Sequence, residues 1–150
     1  MTLQDILGVK GHTVYSIDSQ ATLAEAARTL VEHKVGSLLV FRPGDGGGEH
    51  LVGILTERDI LYSCAADNLP LTTTRVAEIM TTELITALPS DAVETVMGLM
   101  TNKRIRHLPV LSEGKLLGIV SIGDIVKAQH DLLAMENRFM KDYISGASPR

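Results

Sequence analysis

The chain has 150 residues, of which 45% are hydrophobic and 21% are charged, as in an ordinary folded protein. Its net charge of −4 argues against general nucleic-acid binding, although a local cluster of cations could still hold a small anion. No apolar run approaches the ~20 residues of a membrane span, and the first residues lack the features of a secretory signal. A single cysteine, Cys64, cannot form an internal disulfide, so a reducing, cytoplasmic location is expected.

The first half of the chain predicts a short helical turn followed by strand, helix, strand, strand and helix. The turn covers residues 3–7 and is expected to end before Gly8 and Gly11. The later elements are predicted at 13–17, 22–33, 37–41, 51–55 and 56–67. Residues 44–48 are rich in glycine but lack the following Lys-Ser/Thr and helix of a phosphate-binding loop, so they predict a hairpin tip.

The second half repeats this order. A turn is predicted at 76–80, and further elements are predicted at 84–88, 91–102, 107–111, 116–120 and from 121 to about 144. The organisation is therefore a first repeat at 1–67, a linker at 68–75, a second repeat at 76–128 and a helical extension with a tail at 129–150. Copies this short cannot each close a core. We expect an α/β (α+β) fold of two β-α-β-β-α repeats packed about a pseudo-twofold axis.

One motif occurs in both repeats, at 53–60 and at 118–125. Each copy runs glycine, two aliphatic residues, a hydroxyl residue, two variable residues, aspartate and isoleucine. It predicts a buried strand that passes directly into a helix, whose first N–H groups can bind an anion. The pairs Thr56 with Asp59, and Ser121 with Asp124, also fit a helix capping box. One copy alone favours capping. A second interpretation stays open, in which the acid binds ribose hydroxyls and the hydroxyl and helix end bind phosphate; two copies favour it once the whole chain resembles a known family, as described below.

A basic run, residues 103–107, lies where a predicted helix ends and a strand begins. Cations at a helix C-terminus are favourable by themselves, by roughly 0.3–1 kcal/mol. In an acidic protein the same cluster suits a phosphate group, which Arg can bind with two hydrogen bonds. The first repeat has Lys34, Gly36 and Ser37 at the matching positions, so two unequal sites are expected.

The repeated motif and the basic run resemble those of the CBS-domain pair, or Bateman-type module, and the resemblance extends from Leu3 to Lys127. It is carried by residues 56–59, 104–110 and 120–124, and it is strongest to stand-alone CBS-pair proteins of bacteria and plant mitochondria. The resemblance implies a non-enzymatic regulatory module that binds AMP, ADP, ATP, NADH or a related adenosine compound in the cleft between the repeats. It also implies a homodimer and, from the plant members, thioredoxin as a possible protein target.

The nucleotide-site residues are expected in both repeats. Arg106 and His107 follow from the resemblance, Arg58 is a further phosphate candidate, and Ser16 and Thr86 correspond to strand positions beside the adenine. The full set is Ser16, Lys34, Ser37, Thr56, Arg58, Asp59, Thr86, Arg104, Arg106, His107, Pro109, Ser121 and Asp124.

Other interpretations remain open. The alternative is a protein-interaction regulator whose nucleotide site is weak or vestigial; an enzyme is disfavoured because no catalytic constellation is visible. The histidines show no metal-ligand spacing, and no metal is expected for folding. The last helix outruns the repeat and carries apolar residues at steps of three and four, a pattern that predicts packing in a dimer. This stripe consists of Ile125, Ala128, Leu132, Met135, Phe139 and Tyr143.

Overall fold

The computed structural model describes residues 1–44 and 46–145. Asp45, in the predicted hairpin tip, and residues 146–150, at the end of the predicted extension, lie outside the described residues. The chain forms two compact units. The first unit comprises residues 13–85, and the second comprises residues 1–12 together with the chain from Thr86 onward. The opening segment of the chain therefore belongs with the elements of the second repeat.

The described residues form six helices and five strands. In chain order they are α1 (Leu3–Lys10), β1 (Ser16–Asp18), α2 (Leu23–His33), β2 (Ser37–Pro43), β3 (Glu49–Thr56), α3 (Glu57–Ala65), α4 (Val76–Ile79), α5 (Val93–Lys103), β4 (His107–Ser112), β5 (Lys115–Ser121) and α6 (Ile122–Ile144). This is the predicted mixed α+β fold with a long C-terminal helix. None of the helices within the described ranges combines the length and hydrophobicity of a membrane-spanning segment.

The first unit is built on a three-stranded sheet in the order β1-β2-β3. Strand β1 is parallel to β2, and β2 is antiparallel to β3. One face of α2 covers the sheet, because its apolar residues recur every three or four positions. Full burial of each large aliphatic side chain stabilises the fold by roughly 1.5–3 kcal/mol. The buried cluster consists of Leu23, Ala26, Leu30, Leu38, Val40, Leu55, Ile60 and Val76.

The second unit has only the antiparallel pair β4-β5, and the strand predicted at 84–88 is wrong. That segment keeps a single parallel bridge, from Ala87 to Val110. In the first unit the N–H of Leu39 donates to the carbonyl of Tyr15, 3.1 Å away. Pro109 stands at the position that matches Leu39, and proline has no N–H to donate. The ladder is therefore shortened in the second unit.

Helix α1 is longer than the sequence indicated. We expected it to stop before Gly8, but it continues to Lys10 and ends at Gly11, which has a φ of 95°. Glycine inside a helix costs up to about 1 kcal/mol relative to alanine but does not stop the helix. Gly11, with a positive φ that glycine adopts without strain, ends the helix instead, and its N–H donates to the carbonyl of Leu7.

Each short helix packs on a glycine of the neighbouring strand. An added Cβ at Gly118 would lie 2.9 Å from Cδ2 of Leu7, which is a buried residue of α1. An added Cβ at Gly53 would lie 2.8 Å from Sδ of Met80 and 2.9 Å from the carbonyl oxygen of Thr81. The glycine that opens each repeated motif is therefore needed for close packing.

Gly53→Ala should destabilise the protein by about 1–3 kcal/mol, because the blocking atoms include a backbone carbonyl that cannot turn aside. Gly118→Ala should cost less, since the atoms nearest its new methyl belong to one leucine side chain. Gly98→Ala is the control: no atom lies within 4 Å of its added Cβ, and helix propensity predicts a gain of up to about 1 kcal/mol. Urea unfolding measures all three. Equal effects at Gly53 and Gly98 would contradict the packing account.

Helix α6 leaves the core soon after it begins. Ile125 is fully buried, whereas every residue from His130 to Ser145 is exposed. The predicted apolar stripe therefore starts inside the second unit and continues onto an uncovered surface. Leu132, Met135, Phe139 and Tyr143 are 37%, 61%, 67% and 70% exposed along it.

Candidate functional site

The first copy of the repeated motif forms a capped strand-to-helix junction, here called the first junction. Thr56 ends β3 and is the N-cap of α3; its hydroxyl accepts a hydrogen bond from the N–H of Asp59 at 3.2 Å. In return, Oδ2 of Asp59 accepts from the N–H of Thr56 at 2.9 Å. Asp59 is half-buried, and its Oδ1 takes no hydrogen bond within the described residues. One carboxylate oxygen is therefore left for a ligand.

The second copy forms the same structure between β5 and α6, here called the second junction. The hydroxyl of Ser121 accepts from the N–H of Asp124 at 3.1 Å, and Oδ2 of Asp124 accepts from the N–H of Ser121 at 2.8 Å. The side chain of Asp124 is 24% exposed. The sequence prediction of a capping box is thus confirmed at both junctions.

Strand pairing brings a further predicted residue to each junction. Ser37 lies opposite Thr56 in the β2–β3 pair, and His107 lies opposite Ser121 in the β4–β5 pair. The first N–H of each helix is also occupied. Glu57 donates to the carbonyl of Gly36 at 3.0 Å, and Ile122 donates to that of Arg106 at 2.9 Å.

These bonds limit what the helix ends can offer to an anion. Among the described residues, the N–H groups of Arg58 and Gly123 donate no hydrogen bond, whereas the first and third N–H groups of each helix do. One backbone donor per junction is therefore available, and side-chain cations must supply the rest of any phosphate contact.

The predicted cations are exposed; Arg58 lies in the first junction, and the other three precede the strands β2 and β4 that pair with the junction strands. Lys34 and Arg104 are the C-caps of α2 and α5, with left-handed φ values of 54° and 55°. Arg58 is in the first turn of α3, and Arg106 immediately precedes β4. All four side chains are exposed, which leaves their charges accessible.

The remaining predicted residues are less informative. Ser16 and Thr86 are exposed, and Ser16 pairs with Leu39 through β1. Pro109 is buried in β4, where its carbonyl accepts a hydrogen bond from Ala87. The first unit holds Ser16, Lys34, Ser37, Thr56, Arg58 and Asp59, and the second holds Thr86, Arg104, Arg106, His107, Pro109, Ser121 and Asp124.

The sequence reasoning missed Lys10. Its Nζ donates to Oδ2 of Asp124 and to the carbonyl oxygen of Ile119, both at 2.6 Å. Next to it, Nδ1 of His12 lies 2.7 Å from the carbonyl oxygen of Leu117. A helix that continues through Gly8 carries Lys10 in its last turn, but no sequence pattern pairs Lys10 with Asp124, and our expected stop at Gly8 left Lys10 outside the helix.

Lys10 and the capping bonds lower the pKa of Asp124. Partial burial raises the pKa of this carboxyl group, but hydrogen bonds from Lys10 and from the Ser121 backbone outweigh burial. The resulting pKa lies below the ordinary value of 3.8. Asp124 is therefore a carboxylate at neutral pH, able to accept hydrogen bonds.

Comparison with known protein families settles the class. The model of the CBS domain matches residues 3–66 and 76–131, covering both repeats. The chain belongs to the CBS-domain family. This CBS pair is 36% identical to the mitochondrial CBS domain-containing protein CBSX3 of Arabidopsis thaliana, over 97% of this chain and 72% of that protein.

Solved structures show the same fold. The CBS-domain containing protein ATU1752 from Agrobacterium tumefaciens superposes with a TM-score of 0.79 and 34% identity, over 85% of this chain and 92% of that chain. The hexameric CBS-CP12 protein from bloom-forming cyanobacteria gives a TM-score of 0.72 and 35% identity, over 84% of this chain and 69% of that chain.

Capping boxes also occur outside the two junctions of this CBS pair. Thr2 with Asp5 and Thr22 with Glu25 form capping boxes as well, so capping alone does not mark a ligand site. A groove of about 510 Å³ lies between α2 and α3, but neither Thr56 nor Asp59 lines it. Its lining consists of Ala27, Leu30, Val31, Lys34, Val35, Gly36, Glu57 and Ile60.

In the described part of the CBS pair, no group of three or more His, Cys, Asp or Glu side chains lies close enough together to hold a metal ion. The cations and capped acids around the junctions suit an organic anion with hydroxyl groups better.

Lys10→Met should raise the pKa of Asp124, because burial would then be opposed by fewer hydrogen bonds. The wild-type pKa is lowered, so the ionised carboxylate adds stability above pH 3.8, and this contribution is lost as the pH falls through the folded-state pKa. The stability lost in the variant should therefore be largest near neutral pH and shrink under acid.

Carboxyl NMR titration of Asp124 measures this shift. Lys141→Met is the control, since Lys141 lies about 25 Å further along α6 at 1.5 Å per residue. An unchanged pKa in Lys10→Met would show that the ion pair does not control this carboxylate.

Proposed function

We propose that this CBS pair is a non-enzymatic regulatory module that binds an adenosine-containing ligand, such as AMP, ADP, ATP or NADH, at its strand-to-helix junctions. The observation that carries the proposal is the duplicated junction, in which a half-buried aspartate keeps one oxygen for a ligand beside exposed cations. Family membership supports the regulatory role.

The chemistry of each junction fits a nucleoside phosphate. The free carboxylate oxygen of Asp59 or Asp124 can accept hydrogen bonds from ribose hydroxyls, as an acid does in dinucleotide-binding folds. The single available helix N–H and the neighbouring cations then attract the phosphate. The local positive charge of Lys34 and Arg58, or of Arg104 and Arg106, suits this anion although the whole chain is acidic.

The two junctions predict unequal affinities. The second has Arg104 and Arg106 where the first has Lys34 and Gly36, and Gly123 stands where the first has Arg58. Because Arg binds phosphate through a planar fork and Lys only as a point charge, their phosphate contacts differ in kind. A ligand bound preferentially in one arrangement of the module would transmit a signal through its differential affinity.

Asp59→Ala should weaken AMP binding to the first junction by at least about tenfold, since the ribose hydroxyls lose a charged acceptor. Glu25→Ala is a matched control, because it removes a capping-box acid from the same unit but away from the junction. Calorimetry measures affinity and stoichiometry, and thermal unfolding compares the two capping losses. Equal AMP affinities in both variants would refute the ribose contact.

The proposal includes a homodimer that uses the exposed stripe of α6. Its apolar residues recur along one helix face and continue from the buried Ile125, which is the pattern of a helix that packs against another helix. The hexameric CBS-CP12 neighbour shows that a protein of this fold assembles into oligomers.

Phe139→Asp should convert the dimer to a monomer, because it places a charge in the middle of the stripe. Asn137→Asp adds the same charge two positions away, on a different face of α6, and should leave the dimer intact. Light scattering gives the mass of each variant. Removal of residues 132–150 should reproduce the Phe139→Asp result; a dimer in both cases would exclude this helix as the interface.

A second candidate is a protein-interaction regulator with a weak nucleotide site. The observation that favours it is the same exposed stripe, which could receive a protein target, with thioredoxin suggested by the family resemblance. Mass spectrometry of the denatured protein separates the candidates, since a released adenine nucleotide supports the sensor. The cytoplasmic location stays a prediction, and the Arabidopsis relative is named as mitochondrial.

A further inference from the structure

Lys10 distinguishes the second junction from the first. It lies at the end of α1, and its ammonium contacts Asp124, the acid that the proposed function assigns to ribose. The side chains of Lys10 and Asp124 remain 30% and 24% exposed, so the pair is accessible to a ligand from solvent. The helix beneath is fixed, because Leu3, Ile6 and Leu7 are buried.

The first unit has no equivalent lysine. The contacts of Leu7 with Gly118 and of Met80 with Gly53 align the two segments, and three residues later Lys10 corresponds to Glu83. The charge at this position is therefore reversed.

The backbone differs as well. In the first unit Thr81 exchanges two backbone hydrogen bonds with Ile54, at 2.9 and 3.0 Å. In the second unit the equivalent carbonyl, that of Ile119, accepts from the Lys10 ammonium instead. A movable side-chain cation has taken the place of a fixed backbone donor.

We infer that Lys10 is a specificity-determining residue that makes the second junction select phosphorylated nucleosides over free adenosine. This inference rests on the proposed function. The mechanism is an exchange of partners: the ammonium leaves Oδ2 of Asp124 for the ligand phosphate, and Oδ2 then accepts a second ribose hydroxyl beside the one that binds the free Oδ1. The flexible four-carbon stem of lysine allows its tip to move while the helix stays in place.

The free energy of binding depends on what the Lys10 ammonium contacts after its ion pair with Asp124 is broken. Free adenosine whose second ribose hydroxyl competes for Oδ2 of Asp124 displaces the ammonium from a partly buried carboxylate and offers it no anion in return. A nucleotide brings a phosphate, which forms charge-assisted hydrogen bonds with the ammonium. The lysine therefore penalises the nucleoside and favours the nucleotide. A lysine that only tethered α1 would affect both ligands alike.

The test isolates the second junction in an Asp59→Ala background and titrates AMP and adenosine separately. Lys10→Met should lower the ratio of AMP affinity to adenosine affinity by at least about tenfold, equivalent to roughly 1.4 kcal/mol. Lys10→Arg keeps a cation and should retain the ratio within about twofold. In an Asp124→Ala background, where binding depends on the first junction, Lys10→Met should leave the ratio unchanged.

The outcomes separate this inference from the proposed function. Equal changes for AMP and adenosine, or an unchanged ratio, overturn the role of Lys10 while nucleotide binding itself stands. AMP binding that survives in Asp124→Ala but not in Asp59→Ala overturns the inference alone, because the second junction then takes no nucleotide. Wild-type protein that binds neither AMP nor adenosine overturns both. Circular dichroism of each variant confirms that the comparison is between folded proteins.

Discussion

The reciprocal hydrogen bonds between a hydroxyl residue and an aspartate one helical turn later constrain both junctions. The bonds fix the first turn of α3 and α6 directly after a buried strand, and they commit Oδ2 of Asp59 and Asp124 to the backbone. A ligand that reaches either acid must use the other oxygen or uncap the helix, at a cost of about 1 kcal/mol. Capping and binding are therefore compatible, and capping fixes the side-chain rotamer that binding would need.

The two units share this constraint but differ in how the short helix that packs on the junction strand is attached. Helix α4 is followed by a backbone pair between Thr81 and Ile54, whereas α1 runs one turn further and attaches through the side chains of Lys10 and His12. Backbone pairs hold a segment at fixed distance, while side-chain bonds can be exchanged for bonds to a ligand. The second junction is thus the more adaptable of the two, although the motifs at 53–60 and 118–125 match.

The sequence predicted most of the fold because the same pattern appears twice and each copy supports the interpretation of the other. The capping boxes at Thr56 and Ser121 followed from residue spacing alone. The strand at 84–88 failed for a reason outside that segment, since Pro109 on the neighbouring strand lacks the N–H that a longer ladder requires. The end of α1 was predicted wrongly because Gly8 was taken as a stop, whereas Gly8 keeps the helical conformation and the positive φ occurs at Gly11. Because of that error Lys10 was not predicted as a site residue. Its contact with Asp124 joins residues 114 positions apart, and such a contact leaves no local sequence pattern.

The left-handed caps at Lys34 and Arg104 affect the entropy that is lost when these cations bind an anion. A residue with a Cβ pays roughly 1–2 kcal/mol for this conformation, which glycine adopts freely. Both repeats accept that strain and place a cation at the bend, where the N–H of the cap residue donates to Leu30 and Val31 in the first repeat and to Met100 and Thr101 in the second. A ligand that engages the charge then has to order the side chain but not the backbone of the cap, which reduces the entropy lost on binding.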